Sequence, residues 1–279
     1  MRLTLVGLTS KVYSIVYPRL RTTYGQAPLR HLWIPDTQVR SGVCTDHIEA
    51  LGNYIEEKRF EKIIVAGDWW DMPATSNFNS PKDLEGLRVL DDIDSGNRAM
   101  HKLWWAVDRR NKRYSINKKK QYRPECHFLM GNHEAHLERL WQKDPRLEGI
   151  IGYDSLALDR FNVHDFLKIV DIDGILYSHY FCNPMSGRPW GGMIETRIKN
   201  VGQSFTQGHA QSFKYGELEV ASGKRRFGLV SGAFYMHDED YKGPQGNQHW
   251  RGVVVKNDVS DGQYDIMKIS LDYLLRKYL

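Results

Sequence analysis

A chain of 279 residues exceeds one average domain yet suits a single well-filled core with insertions, and 41% apolar and 12% aromatic content mark an ordinary globular chain. No apolar run approaches the roughly 20 residues that a membrane helix needs. The formal charge of +5 permits a polyanionic partner without requiring one. Cys44, Cys126 and Cys182 are widely spaced and lack a C-x-x-C pair, which argues against a disulfide frame or thiolate zinc site and fits reduced thiols in the cytoplasm.

The first 35 residues hold Arg2, Lys11, Arg19, Arg21 and Arg30 and no acid. That composition is transit-peptide-like, but no Arg-studded helical face or cleavage pattern accompanies it, so residues 1–29 read as a basic extension. Residues 30–279 are expected to form one domain. "RHLWIP" reads as a strand, "TDHIEALGNYIEEKRF" as a helix capped by Thr45 with Ile48, Leu51 and Ile55 on one face, and "KIIVAGD" as a buried strand. "CHFLMGN" is a further strand, followed by the helical "HEAHLERLW".

Between these lies an insertion, residues 72–124, with the amphipathic "NRAMHKLWWAVDRRNKRY" and the basic "NKKKQYR"; it reads as a cap or substrate arm. Downstream, Asp173-Gly174 and Asp261-Gly262 each separate two apolar runs, the pattern of a tight hairpin. "LDYLLRKYL" closes the chain as a short helix. Alternating strand and helix patterns predict an α/β fold, a layered sheet sandwich with helices outside and polar residues gathered at strand ends.

Those polar ends are "PDTQ" (Asp36, Gln38), "GDWWD" (Asp68, Asp71), "GNHE" (Asn132, His133, Glu134), "YSHY" (His179) and "QGHAQ" (His209, Gln211). A lone "GD" or "GH" is a weak signal because Gly beside a polar residue is usually a turn. In this order the five resemble the calcineurin-like metallophosphoesterases, whose motifs run D-x-H, G-D-x-x-D, G-N-H-[DE], a lone His and G-H-x-H. The resemblance covers Asp36 to Gln211, and the "GNHE", "HYFCNPMSGRPWGG" and "DEDYKGPQGNQHWRGVVV" segments look most like phage and prophage members.

The resemblance implies a four-layer αββα sandwich with a binuclear metal site at the C-terminal strand ends, and hydrolysis of a phosphate ester by metal-activated water. One metal would take Asp36, Gln38, Asp68 and Gln211; the other would take Asp68, Asn132, His179 and His209, with Asp68 bridging. His133 would act on the leaving oxygen and Asp71 would orient it. Glu134 and His136 are expected to be second-sphere or surface residues, since "HEAH" is one residue short of the zinc-protease pattern. The family's histidines at 38 and 211 are glutamines here, both on one metal. Amide oxygen in place of imidazole nitrogen makes that site harder, favouring manganese or magnesium over zinc.

Arg188 and Trp190 in "SGRPWGG" are candidate substrate contacts, and His237 and His249 in the loop 237–250 are weaker ones. Arg109, Arg110, Lys112, Arg113, Lys118, Lys119, Lys120 and Arg123 sit among Tyr114 and Tyr122, a mixture suited to a phosphate backbone and stacked bases. The expected activity is that of a phosphodiesterase or nuclease acting on DNA, RNA or a nucleotide, in the cytoplasm, or the host cytoplasm if phage-encoded. A phosphomonoesterase of the Ser/Thr protein phosphatase type and a silent phosphate-binding module remain the alternatives.

Overall fold

The computed structural model describes residues 28–76, 80, 82–239 and 242–279, so the expected basic extension lies outside the described residues up to position 27. The chain then runs β1 (His31–Ile34), α1 (Asp46–Lys58), β2 (Lys62–Val65), α2 (Val89–Ile116), β3 (Glu125–Leu129), α3 (Ala135–Lys143) and β4 (Asn162–His164). Next come β5 (Val170–Ile172), β6 (Ile175–Tyr177), α4 (Ile194–Val201), β7 (Phe205–Gln207), β8 (Phe213–Glu219) and β9 (Arg225–Ser231). The one-turn α5 (Gly243–Gly246), β10 (Gly252–Ser260), β11 (Gln263–Ser270) and α6 (Leu271–Tyr278) complete it.

Two mixed sheets result. The first has the order β11-β10-β1-β2-β3-β4, with β1 to β4 parallel; the second has the order β5-β6-β7-β9-β8, with β6, β7 and β9 parallel. The strands of the first are apolar on both faces because both are covered. Trp33, Ile64 and Leu129 pack against Tyr177, Phe227 and Leu229 of the second sheet. Their neighbours Leu32, Ile63 and Phe128 face the other way, onto α1, α2, α3 and α6. Ile194 and Ile198 of α4 cover Phe205 and Val230 on the outside of the second sheet. The architecture is an α/β sandwich of two sheets with helices on the outer faces.

Both expected hairpins form. Asp173 and Gly174 have φ of 53° and 83°, Asp261 and Gly262 have 49° and 79°, the paired left-handed residues that a two-residue turn demands. Ile48, Leu51 and Ile55 are buried along α1. Thr45 precedes α1 but makes no capping bond, because at φ −119° and ψ 23° it is not extended; its hydroxyl therefore does not reach the first-turn amides.

The expected cap is instead part of the helical layer. α2, 28 residues and about 42 Å at 1.5 Å per residue, lies along the sandwich from pole to pole. Near its start the indoles of Trp70 and Trp69, just past β2, donate to Ile93 O and Gly96 O at 3.1 and 3.0 Å. Near its end Tyr114 receives a 2.9 Å bond from Arg59, and Tyr122 beyond it donates to Phe60 O at 2.8 Å, beside the beginning of β2. The basic run thus sits at the pole opposite the C-terminal strand ends.

Between the sheets, the fully buried Lys256 donates to the hydroxyls of Tyr177, at 2.9 Å, and Thr206. His31 links the Tyr177 hydroxyl, 2.8 Å from Nδ1, to Asp173, 2.8 Å from Nε2.

Candidate metal centre

Asp36 and Gln38 follow β1, Asp68 follows β2, Asn132 and His133 follow β3, His179 follows β6, and His209 and Gln211 lie between β7 and β8. The parallel strands of both sheets bring these ends together at one pole. Cross-sheet bonds fix the meeting: His179 Nδ1 lies 2.8 Å from Ala66 O, and the His209 amide donates to Asp36 Oδ1 at 3.0 Å.

Local backbone chemistry explains the glycines. A Cβ on Gly131 would lie 2.1 Å from Asp68 Oδ1, and one on Gly208 would lie 2.4 Å from Asp36 Oδ1; only glycine lets the backbone approach these carboxylates so closely. Gln38, Asp68, His209 and Gln211 have φ of 46°, 48°, 61° and 34°. Left-handed backbone at non-glycine residues is strained and clusters where a site demands a particular side-chain placement.

Glu134 is fully buried and accepts from the amides of Asp68, Trp69, Trp70 and Gly131 at 2.7 to 3.2 Å. One carboxylate thus fastens the turn after β2 to the turn after β3. The surface option for Glu134 is excluded, and His136 is buried with it.

Asp68, His179 and His209 each bring a donor atom within 4.8 Å of the others. His179 Nε2 lies 3.0 Å from Asn132 Oδ1 and 3.3 Å from Asp68 Oδ2. Asp36 Oδ2 and Gln38 Oε1 are buried and have no hydrogen-bond partner among the described residues. A cavity of about 260 Å³ is bordered by Gln38, Asp68, Asn132, His133, Gln211 and Lys242. Gln211 differs from Gln38, since its Oε1 accepts from the Tyr235 hydroxyl at 2.8 Å, and Lys242 Nζ lies 2.9 Å from that same hydroxyl.

The charges are in tension. Burial, then the neighbouring Asp68, pushes the Asp36 carboxyl up to about 8. Burial would raise Asp68 too, but the imidazoles of His179 and His133 hold it well below the carboxylate range. Burial would lower His179 and His133, yet Asp68 raises both to about 9, helped at His133 by Asp71. His209 is lowered to about 4 by burial and by His179. Buried carboxylates, an orphaned carboxylate oxygen, an orphaned amide oxygen and imidazole nitrogens are the donor types that would suit a divalent cation.

His133 stands at the cavity's edge, its Nε2 3.7 Å from Asp68 Oδ2 and its Nδ1 bonded to Asp71 O and 3.4 Å from Asp71 Oδ1. Arg40 bonds Asp71 at 2.8 Å and reaches Glu239 at 3.4 Å. His237 bonds Glu239 at 2.8 Å and so belongs to this supporting chain. Arg188 is exposed and Trp190 packs toward the α4 cluster; among the described residues no hydrogen bond or ring contact joins either to the cavity.

Sequence reasoning passed over Arg40, Tyr235 and Lys242. Lys242 had a signal, since it lies in the long polar loop 237–250; Arg40 and Tyr235 are ordinary strand-flanking residues there. Compared with known proteins, the chain matches no family model and no curated protein sequence.

Proposed function

We propose that the protein is a metal-dependent phosphoesterase with the four-layer αββα fold of the calcineurin-like metallophosphoesterases, hydrolysing a phosphodiester of nucleic acid or of a nucleotide. The observation that carries this reading is the convergence of Asp68, His179 and His209, from ends of strands in both sheets, on one point, beside the unpaired oxygens of Asp36 and Gln38.

Two divalent cations, with manganese preferred, would be held by Asp36, Gln38, Asp68, Asn132, His179, His209 and Gln211, and would supply an acidified water and neutralisation of phosphoryl charge. The protein's own groups do the rest. Asp68 fixes negative charge at the cavity wall, and Glu134 holds the Asp68 turn rigid. His133, its proton retained by Asp68 and Asp71, is placed to give that proton to a departing oxygen. Asp71, steadied by Arg40, sets the imidazole's orientation. Lys242, on the wall, adds a cation near an incoming anion.

The test is an activity matrix on purified protein. Manganese, magnesium, zinc, nickel and calcium are paired with a chromogenic monoester, a chromogenic diester, single-stranded DNA and duplex DNA. Manganese-dependent turnover of the diester above the monoester is expected. Monoester turnover alone would make the protein a phosphomonoesterase, and phosphate binding without turnover under any metal would make it a silent recognition module.

A further inference from the structure

We propose that the pole opposite the candidate metal centre is an anchoring surface for single-stranded nucleic acid, built from the C-terminal half of α2 and the loop leading to β3. Residues 109 to 123 carry eight Lys and Arg and no acid, more positive charge than the +5 of the whole chain. Arg110 pairs with Glu56. Among the described residues, none of the other seven has a carboxylate within ion-pair distance, and Lys112, Lys118, Lys119 and Lys120 are exposed. Cations near a helix C-terminus complement the helix dipole, but that accounts for the last turn and not for three consecutive lysines beyond it.

Two further observations select the partner. Trp105 is 52% exposed, with the Arg109 guanidinium 4.3 Å from its ring centroid, and the same stripe continues through Lys112 to Ile116, 73% exposed. An exposed indole with a guanidinium over its ring offers a stacking platform for an unpaired base. Beside it, between α2 and the start of β3, a cavity of about 420 Å³ is lined by Trp104, Asp108, Asn111, Tyr122, Arg123 and Arg160; Arg160 is paired with Asp108 at 2.7 Å, which leaves Arg123 as the cavity's unpaired cation among the described residues. Flat anionic surfaces such as a duplex or a lipid headgroup layer would use the charge alone; a strand with splayed bases uses the charge, the exposed indole and the cavity.

Because α2 separates this surface from the metal centre by most of its length, the two do not share a phosphate. The basic pole would hold a polymer while the metal centre works at another point of it. Binding at the pole depends on neither metal nor turnover, so it stands or falls separately from the phosphoesterase reading.

The experiment is fluorescence anisotropy in chelator with a labelled 30-nucleotide single strand, from 50 to 200 mM salt, with a duplex and phosphatidylserine vesicles as competitors. Replacing Lys118, Lys119 and Lys120 by Ala should weaken binding at least tenfold and flatten the log–log salt slope by about 2, at roughly 0.7 per lost contact on a single strand. Trp105→Ala should weaken single-strand binding about tenfold and leave the slope unchanged, the mark of lost stacking. Unchanged affinity in both variants would overturn the proposal. So would competition by duplex or vesicles as strong as by unlabelled single strand, which would make the pole a general polyanion or membrane contact.

Discussion

The side-chain oxygen of Gln211 accepts a 2.8 Å hydrogen bond from the Tyr235 hydroxyl, while the oxygen of Gln38 across the same cavity has no partner among the described residues. The two glutamines are therefore not equivalent donors. Gln38 presents a bare oxygen, and Gln211 presents one whose direction Tyr235 sets.

Tyr235→Phe should accordingly weaken manganese binding about tenfold, as removal of an outer partner typically does. Gln38→His combined with Gln211→His should shift preference toward zinc by more than the two single changes together, because both side chains would serve one ion. Calorimetric titration with each metal decides. Tight binding of two zinc ions by the native protein, or no shift in the double variant, would remove the glutamines from metal choice.

Asp68→Asn and His209→Ala should lose bound metal together with activity. His133→Ala should keep its metal while turnover falls by about 10² to 10⁴, the range expected for a positioned proton donor. Elemental analysis beside steady-state rates separates these outcomes; metal loss from the His133 variant would make it a ligand.

Glu134→Ala would strand four buried amides. At about 1–3 kcal/mol for each unsatisfied group, partly relieved by entering water, a loss of at least about 3 kcal/mol in urea unfolding is expected. Glu134→Gln keeps one oxygen and should lose less. Equal stability of all three proteins would show that the amides find other partners.

His31 gives a pH dependence away from the site. Burial and then the nearby Lys256 outweigh Asp173 and lower it from 6.5 to about 4. The unfolded chain thus binds the proton first, so the contribution is complete above pH 6.5 and is lost as pH falls from 6.5 toward 4. The loss amounts to about 3 kcal/mol at 1.36 kcal/mol per pKa unit. His31→Gln should show a flatter decline in unfolding free energy between pH 7.5 and 4.5, and parallel declines would assign the effect elsewhere.

The strands and hairpins were legible because each rests on a local rule: apolar runs ending in polar residues, or Asp-Gly between two runs. The candidate donors were legible by resemblance, and the structure gathers them at one pole. Four things were not legible. The clamp made by Glu134 was not legible because three of its four partners are backbone amides about 65 residues earlier, which no side-chain motif encodes. The place of the basic run at the far pole was not legible, because sequence spacing does not say where a 28-residue helix carries its end. Arg188 and Trp190 were drawn in by nearness in sequence to His179; Trp190 packs with Ile194 and Ile198 of α4, a placement no local pattern encodes. Thr45 carried the right residue type for a cap and the wrong backbone angles.

Lys256 offers a reporter of a different kind. Its amine is enclosed by Tyr177, Thr206 and Tyr264 between the sheets, burial lowers its pKa, and full burial keeps it out of reach of acylating reagents in the folded protein. Lysines on the basic pole would label within the reagent's own reaction time. Lys256 would label only when the two sheets part, and the modification rate at this one position, read by peptide mass, would clock the opening of the sandwich under native conditions.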